Sequence, residues 1–176
     1  MNKFILKGKI ALLMLVALLG ATSCDDDDDD NQPALTNETF MQQAAASDMF
    51  EIQTGALAIT KGTRTEVREL GQMLVTDHSL SSTELMALAM QKNTTLSTTL
   101  PADKATKVSR LQGLTGTAFD KEFAAMQVEA HEEAINLYER ANNDISDASL
   151  QAFIDKILPK LEMHLDEAED VKDLTD

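Results

Sequence analysis

The sequence predicts an all-α protein, a four-helix bundle with one long crossover, and three observations carry that prediction. Apolar residues recur at helical spacing through most of residues 37–174, no segment alternates in the manner of a strand, and no repeat of solenoid length is present. The connections between the four long periodic segments run short, long, short. About 140 residues take part, which suits one domain around one core.

Ahead of the bundle, Lys3, Lys7 and Lys9 precede an apolar run over residues 10–19 and then the small residues of GATSC. This is the layout of a secretory signal peptide, assigned to residues 1–23. Ten apolar residues span about 15 Å as a helix against a hydrocarbon core of about 30 Å, so cleavage is expected and not a retained span. Cys24 is the only cysteine and cannot form an intramolecular disulfide. Its position resembles the lipidated cysteine of a bacterial lipoprotein, although Ala21 stands where that signature usually has Leu. The resemblance implies acyl chains on Cys24, each buried methylene contributing about 0.8 kcal/mol, and so a domain tethered to a membrane. Residues 25–30 are all Asp; they repel one another and make residues 24–36 an extended acidic tether. Acidic residues in that place also resemble a surface-export signal of some Gram-negative lineages. The expected address is therefore the outer membrane, on its periplasmic face or at the cell surface.

Loss of the signal removes three of fifteen basic residues and none of thirty acidic ones, leaving a formal charge of −18. Such a chain makes no partner for nucleic acid or an anionic lipid surface and favours metal cations or basic proteins.

The first long helix is expected over residues 37–61, stopped by Gly62. The second opens at Thr63, where TRTE matches a capping box, and runs to about residue 92. A polar loop over residues 93–101 ends at Pro101, and a short helix follows over residues 102–111. After GLTG, the third long helix covers residues 117–141, and Asp144 or Asp147 caps a fourth that continues to about residue 174. Pro159 lies inside this last helix, where it removes a donor and is expected to kink the axis. The helical pattern nevertheless persists through Leu150, Ile154, Ile157, Leu161, Leu165 and Ala168. Short connections make the first and last helix pairs antiparallel hairpins, and the long one lets the second and third long helices run parallel, the ferritin-like arrangement.

Three histidines interrupt the apolar stripes. His78 lies among Leu70, Gly71, Leu74, Ser81, Leu85 and Leu88; His131 among Phe123, Ala130, Ala134 and Tyr138; His164 beside Leu161, Leu165 and Ala168. On the first helix, Asp48 is near the centre of the face formed by Ala44, Ile52, Gly55 and Ile59, with Glu51 at its edge. All five polar residues fall within about three residues of their helix midpoints, roughly 5 Å along the axis, so they can share one level. A single buried histidine is ordinarily a core residue with a hydrogen-bond partner. Three at one level with a carboxylate on the remaining helix point to a metal site, since neutral imidazole suits zinc, copper, iron or nickel. Glu51, His78, His131 and His164 are the candidate ligands, and Asp48, Asp77 and Gln127 the candidates to orient the rings. Asp77 also fits an exposed helix position.

A di-iron centre is not expected, because the Glu-x-x-His repeats it needs are missing: Val75 and Leu161 stand three residues before His78 and His164. The seven methionines of the mature chain, Met73, Met126 and Met163 among them, are ordinary core fillers. No Ser-His-Asp order, P-loop or dinucleotide-binding glycine pattern is present, and the sequence specifies no reaction.

Between Phe40 and Ala168, FMQQAAASDMFEIQTGALA, VRELGQMLVTDHSLSSTEL, LTGTAFDKEFAAMQVEAHEEAINLYE and LQAFIDKILPKLEMHL resemble, in order, the bacterial domain of unknown function 4142 family. The resemblance implies a ferritin-like fold and export to the envelope, and it groups Glu51, His78, His131 and His164; Asp48 stands where that family more usually has a small residue. Three readings follow: an envelope-anchored lipoprotein binding one transition metal, a metal-dependent redox or stress enzyme, and a structural or partner-binding bundle without metal.

Overall fold

Thr36 starts the first helix. Its hydroxyl accepts from the Thr39 N–H at 3.1 Å while its own N–H donates to the Thr39 hydroxyl at 2.9 Å, a closed capping box. In the computed structural model, which describes residues 34–176, this opens α1 (Asn37–Lys61). The others are α2 (Thr65–Gln91), α3 (Ala102–Gln112), α4 (Gly116–Asp144) and α5 (Ala148–Thr175), with no strand among the described residues. The signal peptide, Cys24 and the six aspartates lie outside the described residues. Among the described residues, no helix is long and apolar enough to cross a membrane.

The capping box expected at TRTE does not form. Arg64 occupies the N-cap position of α2 without a side-chain cap, and the carboxylate of Asp120, on α4, does the work instead. It accepts from the Thr63 N–H at 2.9 Å, the Arg64 N–H at 3.2 Å and the Thr63 hydroxyl. A buried carboxylate facing three donors outcompetes a local side chain, so the helix opens later than Thr63. At the other end of the bundle Asp147, not Asp144, caps α5, accepting from the Ser149 and Leu150 N–H groups. Asp144 accepts from the Leu35 N–H at 2.8 Å.

These end contacts fix the topology. The Leu35–Asp144 bond puts the start of α1 beside the end of α4, whereas Asp120 holds the starts of α2 and α4 together. Lys92 reaches Asp147 at 2.6 Å and Arg64 donates to the Leu174 carbonyl at 2.6 Å, so α5 runs antiparallel to α2. Helices α2 and α4 are therefore parallel, as the long crossover predicts. Helix α1 packs chiefly on α2 and α4 on α5, and α1–α4 and α2–α5 contacts close the square. The crossover helix α3 buries Val108 and Leu111 and pairs Lys104 with Glu133 at 3.0 Å, Lys107 with Glu129 at 2.9 Å, and Arg110 with Glu122. Exposed pairs of this kind contribute little each, roughly 0–1 kcal/mol; the two apolar side chains hold the helix down.

The tightest crossing lies between α1 and α2. A Cβ on Gly71 would stand 2.7 Å from both the Gly55 carbonyl oxygen and the Ala58 Cβ, and one on Gly55 would stand 2.8 Å from the Gly71 carbonyl oxygen. Only glycine lets the two backbones approach so closely.

The apolar core forms two separate clusters. One gathers Phe40, Met41, Leu85, Tyr138 and Phe153 near the start of α1, and the other Phe50, Leu70, Leu74, Phe119 and Phe123 toward the opposite end. Between their helical positions lie the buried polar residues Asp48, His78, Ser81, His131 and His164, with Glu51, Thr54 and Gln127 beside them within the span of the second cluster.

Candidate metal centre

Each of α2, α4 and α5 contributes one histidine to this layer. His78, His131 and His164 are 3%, 1% and 1% exposed, and their ring centroids lie 5.8, 5.3 and 5.4 Å apart pairwise. One nitrogen from each ring comes within 4.8 Å of one from both others. An ion at about 2.0–2.1 Å from each nitrogen would hold them about 3.4 Å apart, so the rings need to close by at most about 1.4 Å.

Every ring is held on its outer side by a group that can only accept a proton. His78 Nδ1 donates to Asp48 Oδ1 at 2.8 Å, His131 Nδ1 to the Gln127 carbonyl at 2.9 Å, and His164 Nε2 to Asp77 Oδ2 at 3.1 Å. Those bonds set the tautomers. With the rings neutral, they leave lone pairs on His78 Nε2, His131 Nε2 and His164 Nδ1, three buried nitrogens with no hydrogen-bond partner in the protein. Glu51 is 1% exposed and neither of its carboxylate oxygens has a partner either. A buried acceptor without a donor costs about 1–3 kcal/mol, so four side chains in this state at one level are unusual in a merely structural core.

Burial also sets the charges. It lowers His131 to about 3, and with the repulsion of His78 it lowers His164 to about 4, so both are neutral at pH 7. Burial raises Glu51 to about 7 against the pull of His78 and Lys104, and it raises Asp48 against its bond to His78. For His78 burial pulls downward, but the hydrogen bond to Asp48 and the charges of Glu51, Asp48 and Asp77 together raise it. Asp77 is shifted against its burial too: burial pulls it upward, but the hydrogen bonds and charges of Lys160 and His164 together hold it below the usual carboxylate range. Two neutral imidazoles, a third oriented by a carboxylate and a nearby acid form a donor set for a cation.

The sequence expectations fare unevenly in detail. Three of the four candidate ligands converge, whereas Glu51 lies outside the set of atoms within 4.8 Å of one another. Glu51 is also not at the edge of the α1 face: it is buried with Ala44, Asp48, Thr54, Gly55 and Ala58, while Ile52 and Ile59 are only partly buried. Asp48 and Asp77 both hold rings. Gln127 does so through its backbone carbonyl, and its side chain donates to the Thr54 hydroxyl at 3.0 Å. Asp120, which closes the start of α2, went unread. Its signal was a carboxylate beside Phe119 and three residues before Phe123, on a face that buries aromatic rings.

Residues 23–171 match the family described as Domain of unknown function (DUF4142). The chain belongs to this family. Its DUF4142 region takes in α1, α2 and α4 and most of α5, and reaches upstream to Cys24. Comparison with curated proteins and with solved structures gave no match.

Proposed function

We propose that this DUF4142 protein binds one transition metal ion through His78, His131 and His164, at the cell envelope, where acyl chains on Cys24 tether it to a membrane. One observation carries the metal reading: each of three buried rings is fixed on its outer nitrogen and has no protein partner on the other. Hydrogen bonds from the outer nitrogen to carboxylates or carbonyls are what orient and strengthen histidine ligands. Three imidazoles favour zinc, copper, iron or nickel over the oxygen-seeking magnesium and calcium. Glu51 stands by as a buried carboxylate that balances the charge of a dication. The Glu-x-x-His repeats of a di-iron centre are missing, which supports a single ion.

The test is thermal unfolding of the purified protein with and without zinc, copper, iron and nickel. A metal that binds the folded state raises the melting temperature as its concentration exceeds the Kd, and His131→Ala abolishes the rise. An unchanged melting temperature with all four ions removes the proposal. For the tether, Cys24→Ser moves the protein from the membrane to the soluble fraction; retention on membranes rules out acyl anchoring.

A further inference from the structure

Building on the metal-binding reading, we infer that the ion reaches the three histidines through the cleft between α2 and α5, with Asp77 receiving it there in exchange for the Lys160 ammonium. Of the three groups that hold the rings, Asp48 and Gln127 are 2% and 0% exposed. Only the Asp77 side chain reaches solvent, at 20% exposure. It lines a cleft of about 170 Å³ together with Ser81, Glu84, Lys156 and Lys160. Ser81 is itself buried with the histidines, so the lining of this cleft includes a hydroxyl of the polar layer. Along the chain Asp77 adjoins His78, Ser81 is one turn beyond it, and Lys160 is one turn before His164.

Two ion pairs span the mouth: Lys160 to Asp77 at 2.8 Å and Lys156 to Glu84. Asp77 thus holds Lys160 with one oxygen and the buried ring of His164 with the other. A dication arriving at Asp77 replaces one cation with another, so the carboxylate is never left unpaired during the exchange. The hollow at the α1–α4 seam differs. There Lys104 bonds Glu133 and lies 5.0 Å from the centroid of the Phe50 ring, and the adjoining hollow is lined by Gln43, Ala46, Ser47 and other residues, none from the polar layer.

The experiment follows uptake of Zn²⁺ by the purified protein in a stopped-flow apparatus, and its release to excess EDTA. Lys160→Met removes the ammonium at the cleft, and Lys104→Met removes one at the opposite seam that also acts on Glu51; any general electrostatic gain appears in both. Uptake by Lys160→Met is expected to be about three- to tenfold faster at low ionic strength, while Lys104→Met changes it less than about twofold. The gain falls away near 1 M salt, where the Debye length is about 3 Å. An unchanged rate in Lys160→Met, or an equal gain in Lys104→Met, overturns the route while leaving the site. A wild-type protein that takes up no Zn²⁺ at all removes the site and the route together.

Discussion

Asp48 fixes which nitrogen of His78 carries the proton, and that choice decides whether the ring can donate a lone pair. In Asp48→Asn the amide NH₂ can turn toward Nδ1 and drive the proton to Nε2, the nitrogen a metal needs. Calorimetric titration is expected to show metal affinity about 10–100-fold weaker with the fold intact. Glu51→Leu acts on stability: it removes a buried carboxyl without partners, so metal-free protein gains about 1–3 kcal/mol in urea unfolding. The sign of its pH dependence follows from linkage. Glu51 is raised from 4.5 to about 7, so wild-type stability from this group is present below 4.5 and lost as pH rises through 7; the gain from Glu51→Leu is largest above 7. His131 runs the other way, lowered from 6.5 to about 3. Its contribution is present above 6.5 and lost as pH falls toward 3, so the stability of metal-free wild type relative to His131→Leu falls with acidification over that window. The histidines were legible because helix phase and level come from spacing alone. Asp77 was ambiguous because its partners, His164 and Lys160, belong to α5, and no spacing within α2 reveals them.

At the scale of the helices, two contacts lie beyond local sequence rules. TRTE satisfies the capping-box pattern, yet Asp120 takes the donors at the start of α2 because a buried tertiary acceptor binds several at once. Asp120→Ala is expected to lower stability by about 1–3 kcal/mol, read from urea unfolding, since those donors lose a buried partner. Gly71 presents the opposite case: Ala is the better helix former by about 1 kcal/mol, but its Cβ would meet α1 at 2.7 Å. The crowding, worth about 1–3 kcal/mol, outweighs that propensity, and Gly71→Ala should melt at a lower temperature than wild type. A Gly71→Ala protein as stable as wild type would mean the crossing relaxes without cost. The helix limits themselves were readable to within a few residues, because periodicity stops at Gly62, Pro101 and Asp147. Which aspartate capped α5 was not, since Asp144 is drawn away by Leu35.

Across the whole molecule, the connection lengths foretold the topology, because only a long crossover returns the chain to run α2 and α4 parallel. The sequence also placed polar groups at mid-height. What it could not convey is that the layer divides the apolar core in two and that the unpaired nitrogens belong to rings already held from outside. Hydrogen bonding of that kind exists only once four helices are assembled. A core interrupted in this way forfeits apolar packing, a loss that the proposed binding of an ion would offset. The most direct measurement is equilibrium dialysis of the purified protein against Zn²⁺ and against Ni²⁺, compared with a variant in which His78, His131 and His164 are all replaced by Leu. One saturable ion per chain is expected for at least one of these metals in wild type and none in the variant; equal binding by the two proteins, or none by either, would contradict the metal site.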